Sequence, residues 1–288
     1  MRFCIAESMC DTTHYLPIAK AAEEVGFDTF SLGDSIIYPE VAVGDYPYTQ
    51  TGDRSFLDGV PFPDPFQMFA AMGAVTDRIQ MMTGVLKLPI RNPVLVAKQL
   101  SSLAVLTNER FILGVGLSPW LEDFQATGED WKTRGSRMDE MIEILRGLMV
   151  GDYYEFHGKH YDIARIKQCP VPSRCPRIVY GGHTMAAYRR AARLCDGFTF
   201  IDLDTAELAE RVGIMRGLLA ECGREKEPFE IYAGVTDARS LDDYKRIEDL
   251  GVDAVFLGYR NAYEPDTMTL QQKLDAVKQL GDNVIAKY

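Results

Sequence analysis

No apolar run in these 288 residues approaches the ~20 that a membrane-spanning helix needs, which argues against a helical membrane protein. The opening stretch Met1-Arg-Phe-Cys-Ile-Ala has no apolar leader segment and passes straight into a strand-like run, so a cytoplasmic protein is expected. Positive charge is in deficit: 31 Lys and Arg against 42 Asp and Glu leave a net charge of −11. Broad attraction to nucleic acid or anionic lipid is therefore not expected, and no nucleic-acid or membrane partner is. An acidic chain can still bind a phosphate locally, through backbone N–H groups at a helix start. The six cysteines (4, 10, 169, 175, 195 and 222) are scattered. Cys169 and Cys175 have no second close pair to complete a zinc site, so reduced, mostly buried thiols are expected. His14, His157, His160 and His183 show no ligand spacing, and no HExxH, Ser-His-Asp set or paired carboxylates stand out. Hydrolysis and metal chemistry are not expected.

What is present is an ordinary globular composition, 47% hydrophobic and 25% charged, at a length that suits one large α/β domain spanning 1–288. Residues 79–120 set the pattern. Ile79 to Val85 is a short apolar run, and Asn92-Pro93 then opens a helix, with Asn at the N-cap and Pro at its first position. Val96, Leu100 and Leu103 follow at helical spacing, and Asn108-Glu109-Arg110 breaks the helix before Phe111-Ile-Leu-Gly-Val. The unit is strand, helix, strand, and both strands end in glycine loops, where α/β folds place ligands.

Further strands are expected at Phe3–Ala6, Thr29–Leu32, Arg177–Tyr180, Phe198–Ile201, Phe229–Ala233 and Ala254–Leu257, with helices between them. The helix over Gly135–Val150 is clearly amphipathic, and a small hairpin is expected over Tyr153–Tyr161. Residues 38–64 form a long aromatic loop, of the kind that serves as a lid or binding loop. A faint repeat recurs: Glu23-Glu-Val-Gly-Phe-Asp-Thr-Phe-Ser-Leu-Gly resembles Glu248-Asp-Leu-Gly-Val-Asp-Ala-Val-Phe-Leu-Gly, and Arg193-Leu-Cys-Asp-Gly-Phe is a looser copy. Eight alternating βα units with uninterrupted apolar strands predict a (β/α)8 TIM barrel, with a long loop after strand 2 and a hairpin insertion before strand 5.

Gly114-Val-Gly-Leu-Ser-Pro119 fails the dinucleotide fingerprint, because its third glycine is Pro119 and it lies mid-chain. Gly181-Gly182-His183-Thr184 ends a strand and starts a helix, so it reads as a phosphate cradle or as an ordinary N-cap by Thr184. Asp34, at the end of strand 2, reads as a catalytic or positioning residue or as a turn cap. Trp120 reads as a stacking surface for a planar ring or as packing, and Lys87 and Arg91 as local positive charge beside Gly84 or as solvated side chains.

Taken together, these stretches resemble the bacterial luciferase-like monooxygenase superfamily, and in particular its branch that uses the deazaflavin coenzyme F420. The likeness covers nearly the whole chain. It runs from Ala21-Ala-Glu-Glu-Val-Gly-Phe-Asp and Gly33-Asp34, through Thr83-Gly-Val-Leu-Lys-Leu-Pro, Asn92-Pro-Val and Glu109-Arg-Phe-Ile-Leu-Gly-Val-Gly to Trp120. It continues in Arg134-Gly-Ser-Arg-Met-Asp-Glu, Tyr180-Gly-Gly-His-Thr and Ala191-Ala-Arg-Leu-Cys-Asp-Gly-Phe. The resemblance implies a barrel with F420, or alternatively FMN, at the C-terminal ends of its strands. Gly84-Val85 would form a bulge behind the ring, joined by a cis peptide, and Gly181 to Thr184, with Ser118, would hold the phosphate.

Two departures bear on the chemistry. Ser35 stands where many deazaflavin relatives carry His, and Pro119 stands near where some carry Glu. Ser35, Tyr46, Tyr48 and Glu122 are the candidate replacements for moving a proton, with Asp34 beside them. The resemblance further implies hydride transfer to or from a small organic substrate, and a homodimer. A flavin monooxygenase and a non-catalytic cofactor-binding barrel are the alternatives.

Overall fold

The computed structural model describes every residue except 47, 48 and 50. In chain order its strands are β1 (Arg2–Ala6), β2 (Thr29–Leu32), β3 (Gln80–Thr83), β4 (Leu86–Lys87), β5 (Phe111–Gly116), β6 (Tyr154–His157), β7 (Asp162–Ile166), β8 (Ile178–Gly181), β9 (Gly197–Leu203), β10 (Glu230–Val235) and β11 (Ala254–Leu257). Its helices are α1 (Tyr15–Glu24), α2 (Pro65–Gly73), α3 (Pro93–Leu106), α4 (Leu121–Thr127), α5 (Arg134–Leu148), α6 (Met185–Leu194), α7 (Thr205–Glu221), α8 (Leu241–Asp249) and α9 (Leu270–Asn283).

Eight parallel strands run in the order β3-β2-β1-β11-β10-β9-β8-β5, and pairing of β3 with β5 closes them into a barrel. This is the expected TIM barrel. β4 resumes the third strand beyond Gly84-Val85 and pairs Leu86 with Val115 and Lys87 with Gly116. The hairpin is present, but its second strand runs to Ile166, past the expected end at Tyr161. Helix α4 was not expected: it is short, and Leu121 and Phe124 alone give little periodicity.

Alternation along the strands sorts side chains into two layers. Phe30, Phe111, Leu113, Tyr180, Phe198 and Val255 point outward and join the helices in one continuous core. Cys4, Met82, Ile112, Val179, Tyr232 and Ala254 fill the barrel interior. Full burial of a large apolar side chain contributes ~1.5–3 kcal/mol, against ~0–1 for an exposed ion pair. The two cores, rather than the surface ion pairs, therefore hold the barrel.

Helix starts follow from caps. Asn92 accepts the N–H groups of Val94 (2.9 Å) and Leu95 (3.2 Å) ahead of Pro93, and Asp64 does the same for Phe66 and Gln67. The faint repeat also has a structural cause. Gly26 and Gly251 end α1 and α8 with φ of +95° and +87°, a conformation that favours glycine. The aspartates that follow clasp the neighbouring strand. Phe3 N–H donates to Asp28 Oδ2 (2.7 Å) and Asp28 N–H donates back to the Phe3 carbonyl (2.8 Å). Asp253 makes the same pair of bonds to Ile231, and Asp196 to Ile178, all at 2.8 Å. A cavity of about 780 Å³ lies at this N-terminal end, lined by Arg2, Gln80, Arg177 and Glu230 among others. Its charges pair with one another: Glu230 accepts from Arg2 (3.0 Å), from Arg177 and from the Tyr232 hydroxyl (2.7 Å).

Candidate active site

The opposite end of the barrel is built differently. Leu32, Val115, Tyr180, Ala233 and Leu257 belong to the outer core, so alternation turns Gly33, Gly116, Gly181, Gly234 and Gly258 inward. Gly84 completes the ring and is exposed at the mouth. This leaves a wall that contributes no side chains of its own. The packing explains the glycines. A Cβ at Gly84 would lie 2.3 Å from Ser31 Oγ, and one at Gly116 or Gly181 would lie 2.6 or 2.8 Å from the methyls of Val85. Val85 thus projects across the mouth between β5 and β8, and the Gly84–Val85 bond is cis, as the resemblance implies. Thr199 Oγ1, buried beside Gly181, has no hydrogen-bond partner among the described residues. Sequence reasoning missed it, because a lone threonine inside an apolar strand gives no signal.

β8 delivers Gly181-Gly182 to the start of α6. A Cβ at Gly182 would meet that of Ala187 at 2.9 Å, so the tight turn needs glycine. Thr184 is the N-cap: its extended backbone lets Oγ1 accept the Ala187 N–H at 3.2 Å. The other first-turn N–H groups have no intrahelical acceptor and lie at the positive end of the helix dipole, with His183 and Thr184 exposed beside them. The N-cap reading of this stretch is met by Thr184, and that cap leaves the other first-turn N–H groups free of intrahelical partners.

Under the long loop lies a buried set of three cations and three carboxylates. Arg91 grips Asp34 with both nitrogens (2.8 Å each), and the Lys87 N–H donates to Asp34 Oδ2 at 2.9 Å. Asp34 therefore ties the end of β2 to β4, just past the bulge. Lys87 Nζ pairs with Asp123 (2.8 Å) and stands 3.4 Å from Ser35 Oγ, whose own hydroxyl donates to the Ile37 carbonyl (3.2 Å). Ser118 donates to Asp123 and accepts the Trp120 N–H (3.0 Å), so its hydroxyl is already committed. Arg54 donates to the carbonyls of Val43 and Gly44 and lies 4.0 Å from Glu122, which accepts the Val43 N–H at 2.5 Å. Glu122 Oε2 and Asp123 Oδ1 are buried without partners among the described residues.

Trp120, 5% exposed, is the centre of this lid. Tyr38 and Tyr46 meet its ring edge-on at 6.4 and 6.3 Å, and Arg54 and Lys87 sit 4.8 and 4.7 Å from its centroid. Stacking of Trp120 on a cofactor would require these contacts to open. Lys87 and Arg91 are not the local positive patch that the sequence suggested, because carboxylates from other segments neutralise both. Of the candidate proton-moving residues, Asp34, Ser35, Tyr46 and Glu122 converge under the loop, while Tyr48 lies outside the described residues. Arg54 and Asp123 were not anticipated. Asp123 could have been suspected from its place beside Glu122 in a first helical turn, whereas Arg54 sits in a loop that carries no pattern.

Residues 11–239 match the luciferase-like monooxygenase family, and the chain belongs to that family. It is an oxidoreductase of the luciferase-like kind. A protein of Mycobacterium tuberculosis described as uncharacterised is 48% identical over the full length of both chains. An F420-dependent glucose-6-phosphate dehydrogenase of Amycolatopsis mediterranei is 31% identical over 187 residues, 62% of this chain and 50% of that one. An FMNH2-dependent dimethylsulfone monooxygenase of Pseudomonas fluorescens is 35% identical over 132 residues, 44% and 36% of the two chains. Among solved structures, an F420-dependent secondary alcohol dehydrogenase superposes with a TM-score of 0.78 at 14% identity, covering 100% of this chain and 99% of that one. Relatives with F420 and with FMN thus both occur. No helix among the described residues is long and apolar enough to cross a membrane.

Proposed function

We propose that the protein transfers a hydride between coenzyme F420 and an organic substrate held under the 38–64 loop. The observation that carries this reading is the pairing of a glycine-walled mouth with an anion cradle at α6, in a chain whose match to an F420-dependent dehydrogenase extends over 62% of its length. Both features suit the group: the glycines at 84 and 181 add no side chain of their own to the wall, so a planar ring would rest on Val85, and the start of α6 suits its phosphate. When bound, F420 supplies or accepts the hydride.

The rest falls to this chain. Val85 and the glycine wall would orient the ring, and Gly182, His183 and Thr184 would anchor its phosphate. Trp120, Tyr38 and Tyr46 would exclude water above the site, and their rings favour a partly apolar substrate. Asp34 would hold the bulge in place through Arg91 and the Lys87 N–H. Glu122, with a buried oxygen that has no partner among the described residues, would exchange a proton with the substrate, as would Ser35 and Tyr46. The exposed apolar residues Leu95, Val105 and Leu106 on α3 would serve a homodimer.

The FMNH2-dependent relative supports the second reading, a monooxygenase that uses reduced FMN and oxygen. A tryptophan-fluorescence titration with F420 and with FMN separates the two. Tight binding of F420 with little of FMN is the expected result, and preference for FMN would move the reading to the monooxygenase. Binding of neither would overturn both.

A further inference from the structure

Where β1 hands over to α1, the chain turns back beside the segment that leads into α9. Cys10 and His14 come from the first turn and Asp266 from the second. One ligand atom from each of the three lies within 4.8 Å of the others. A tetrahedral zinc ion, with bonds of ~2.0–2.3 Å, holds its ligand atoms roughly 3.3–3.8 Å apart. Small side-chain rotations therefore complete the set.

One polar group here is left without a partner among the described residues. His14 occupies the N-cap position of α1, yet its side chain does not cap the helix. Its Nδ1 is buried with no hydrogen-bond partner among the described residues. Tyr15 is wholly buried with its hydroxyl against Cys10. A buried group left unsatisfied in this way weakens the fold. A bound metal settles it, since Nδ1 donates its lone pair to the ion, while Tyr15 stays hydrogen-bonded to Cys10.

The surroundings also prepare the third ligand. Lys273, with no exposure, donates to Asp266 Oδ2 at 2.5 Å, and the Met268 N–H donates to Oδ1 at 3.1 Å, which together fix the carboxylate. Lys273 stands 3.8 Å from Glu7, which also pairs with Arg260 at 2.5 Å. Glu7 and Asp266 thus balance Arg260 and Lys273. Cys10, whose proton leaves to solvent on coordination, offsets one of the two charges of a divalent ion.

The geometry points to a zinc-type site made of Cys10 Sγ, His14 Nδ1 and an Asp266 oxygen, with water as fourth ligand, that clamps the segment before α9 to the start of α1. Sulfur, imidazole and carboxylate donors together select a borderline-soft ion such as Zn²⁺ over Mg²⁺ or Ca²⁺. The sequence concealed the site because its third ligand comes from the far end of the chain.

Cobalt(II) titrated into the EDTA-treated full-length protein tests this site independently of F420 or FMN. The expected result is saturation at one equivalent, with a thiolate-to-cobalt charge-transfer band that zinc displaces. Cys10→Ser abolishes the band, His14→Gln and Asp266→Asn weaken binding at least tenfold, and Cys222→Ser, at an exposed cysteine, leaves it intact. Zinc raises the Tm of the wild type and not of His14→Gln, a partly exposed position that tests the site even if Cys10→Ser fails to fold. Absence of the charge-transfer band in the wild type, or its persistence in His14→Gln at unchanged affinity, would overturn the proposal.

Discussion

Replacing Lys87 with methionine keeps the length of the side chain and removes its charge. The Lys87 side chain is 11% exposed and that of its partner Asp123 is 0% exposed. In the variant, Asp123 keeps only the Ser118 hydroxyl on Oδ2, and Oδ1 has no partner among the described residues. Breaking a buried pair from one side costs ~3–5 kcal/mol, a large part of the ~5–15 kcal/mol that holds a typical domain folded. Asp123→Asn leaves a milder defect, because Lys87 retains the Ser35 hydroxyl at 3.4 Å and the Trp120 ring at 4.7 Å. The double variant Lys87→Met/Asp123→Asn should therefore be more stable than the two single losses predict, by ~0.5–3 kcal/mol of coupling. Urea unfolding reads this directly, followed by far-UV circular dichroism and by tryptophan fluorescence, to which Trp120 contributes from beside the pair. A loss under ~1 kcal/mol for Lys87→Met, or strict additivity in the double variant, would refute the view that this pair holds the lid to the barrel.

Gly181→Ala places a Cβ 2.8 Å from one Val85 methyl and 3.1 Å from the Thr199 methyl; a stability loss of ~1–3 kcal/mol is expected, with F420 affinity falling at least tenfold in the same titration. Unchanged affinity would show that the ring does not lie against Val85. Thr184→Ala removes the α6 cap and should lower stability by ~0.5–2 kcal/mol, with F420 binding weakened but not abolished, because the helix N–H groups remain; calorimetric titration beside a thermal melt checks both. The N–H of Arg239, then the hydroxyl and N–H of Ser240, hold the Asp243 carboxyl down at about 2 from its ordinary 3.8. Its contribution is therefore complete above about pH 4 and is lost as pH falls toward about 2. Asp243→Asn should show a shallower fall in Tm over that interval, and parallel Tm–pH curves would refute the assignment.

The strands and most helices were legible because burial on both faces and caps such as Asn92 and Asp64 leave local patterns. Helix α4 left none, being too short for its apolar spacing to register. The site was legible in its backbone and opaque in its charges. Gly84, Gly181 and Gly182 could be read as loop glycines, because each sits at the end of an apolar run. That they form one inward-facing wall follows only from barrel closure. Lys87 and Arg91 looked like free positive charge because Asp123 and Asp34 reach them from other segments, and pairing across segments has no period in the sequence. Trp120 shows the same limit: a residue at a strand's end can stack on a ligand or anchor a lid, and here its neighbours Arg54, Tyr38 and Tyr46 fill its surroundings.

The clasps made by Asp28, Asp196 and Asp253 each hold one strand by the side chain and pass on to the next by the carbonyl, which accepts the N–H of Gln80, Glu230 and Arg2 in turn. They behave like a running stitch along a hem, so damage to one should loosen the seam on both sides of it. All three lie at the end of the barrel away from the lid, which frees the catalytic loops to diverge in sequence without unpicking the structure beneath them.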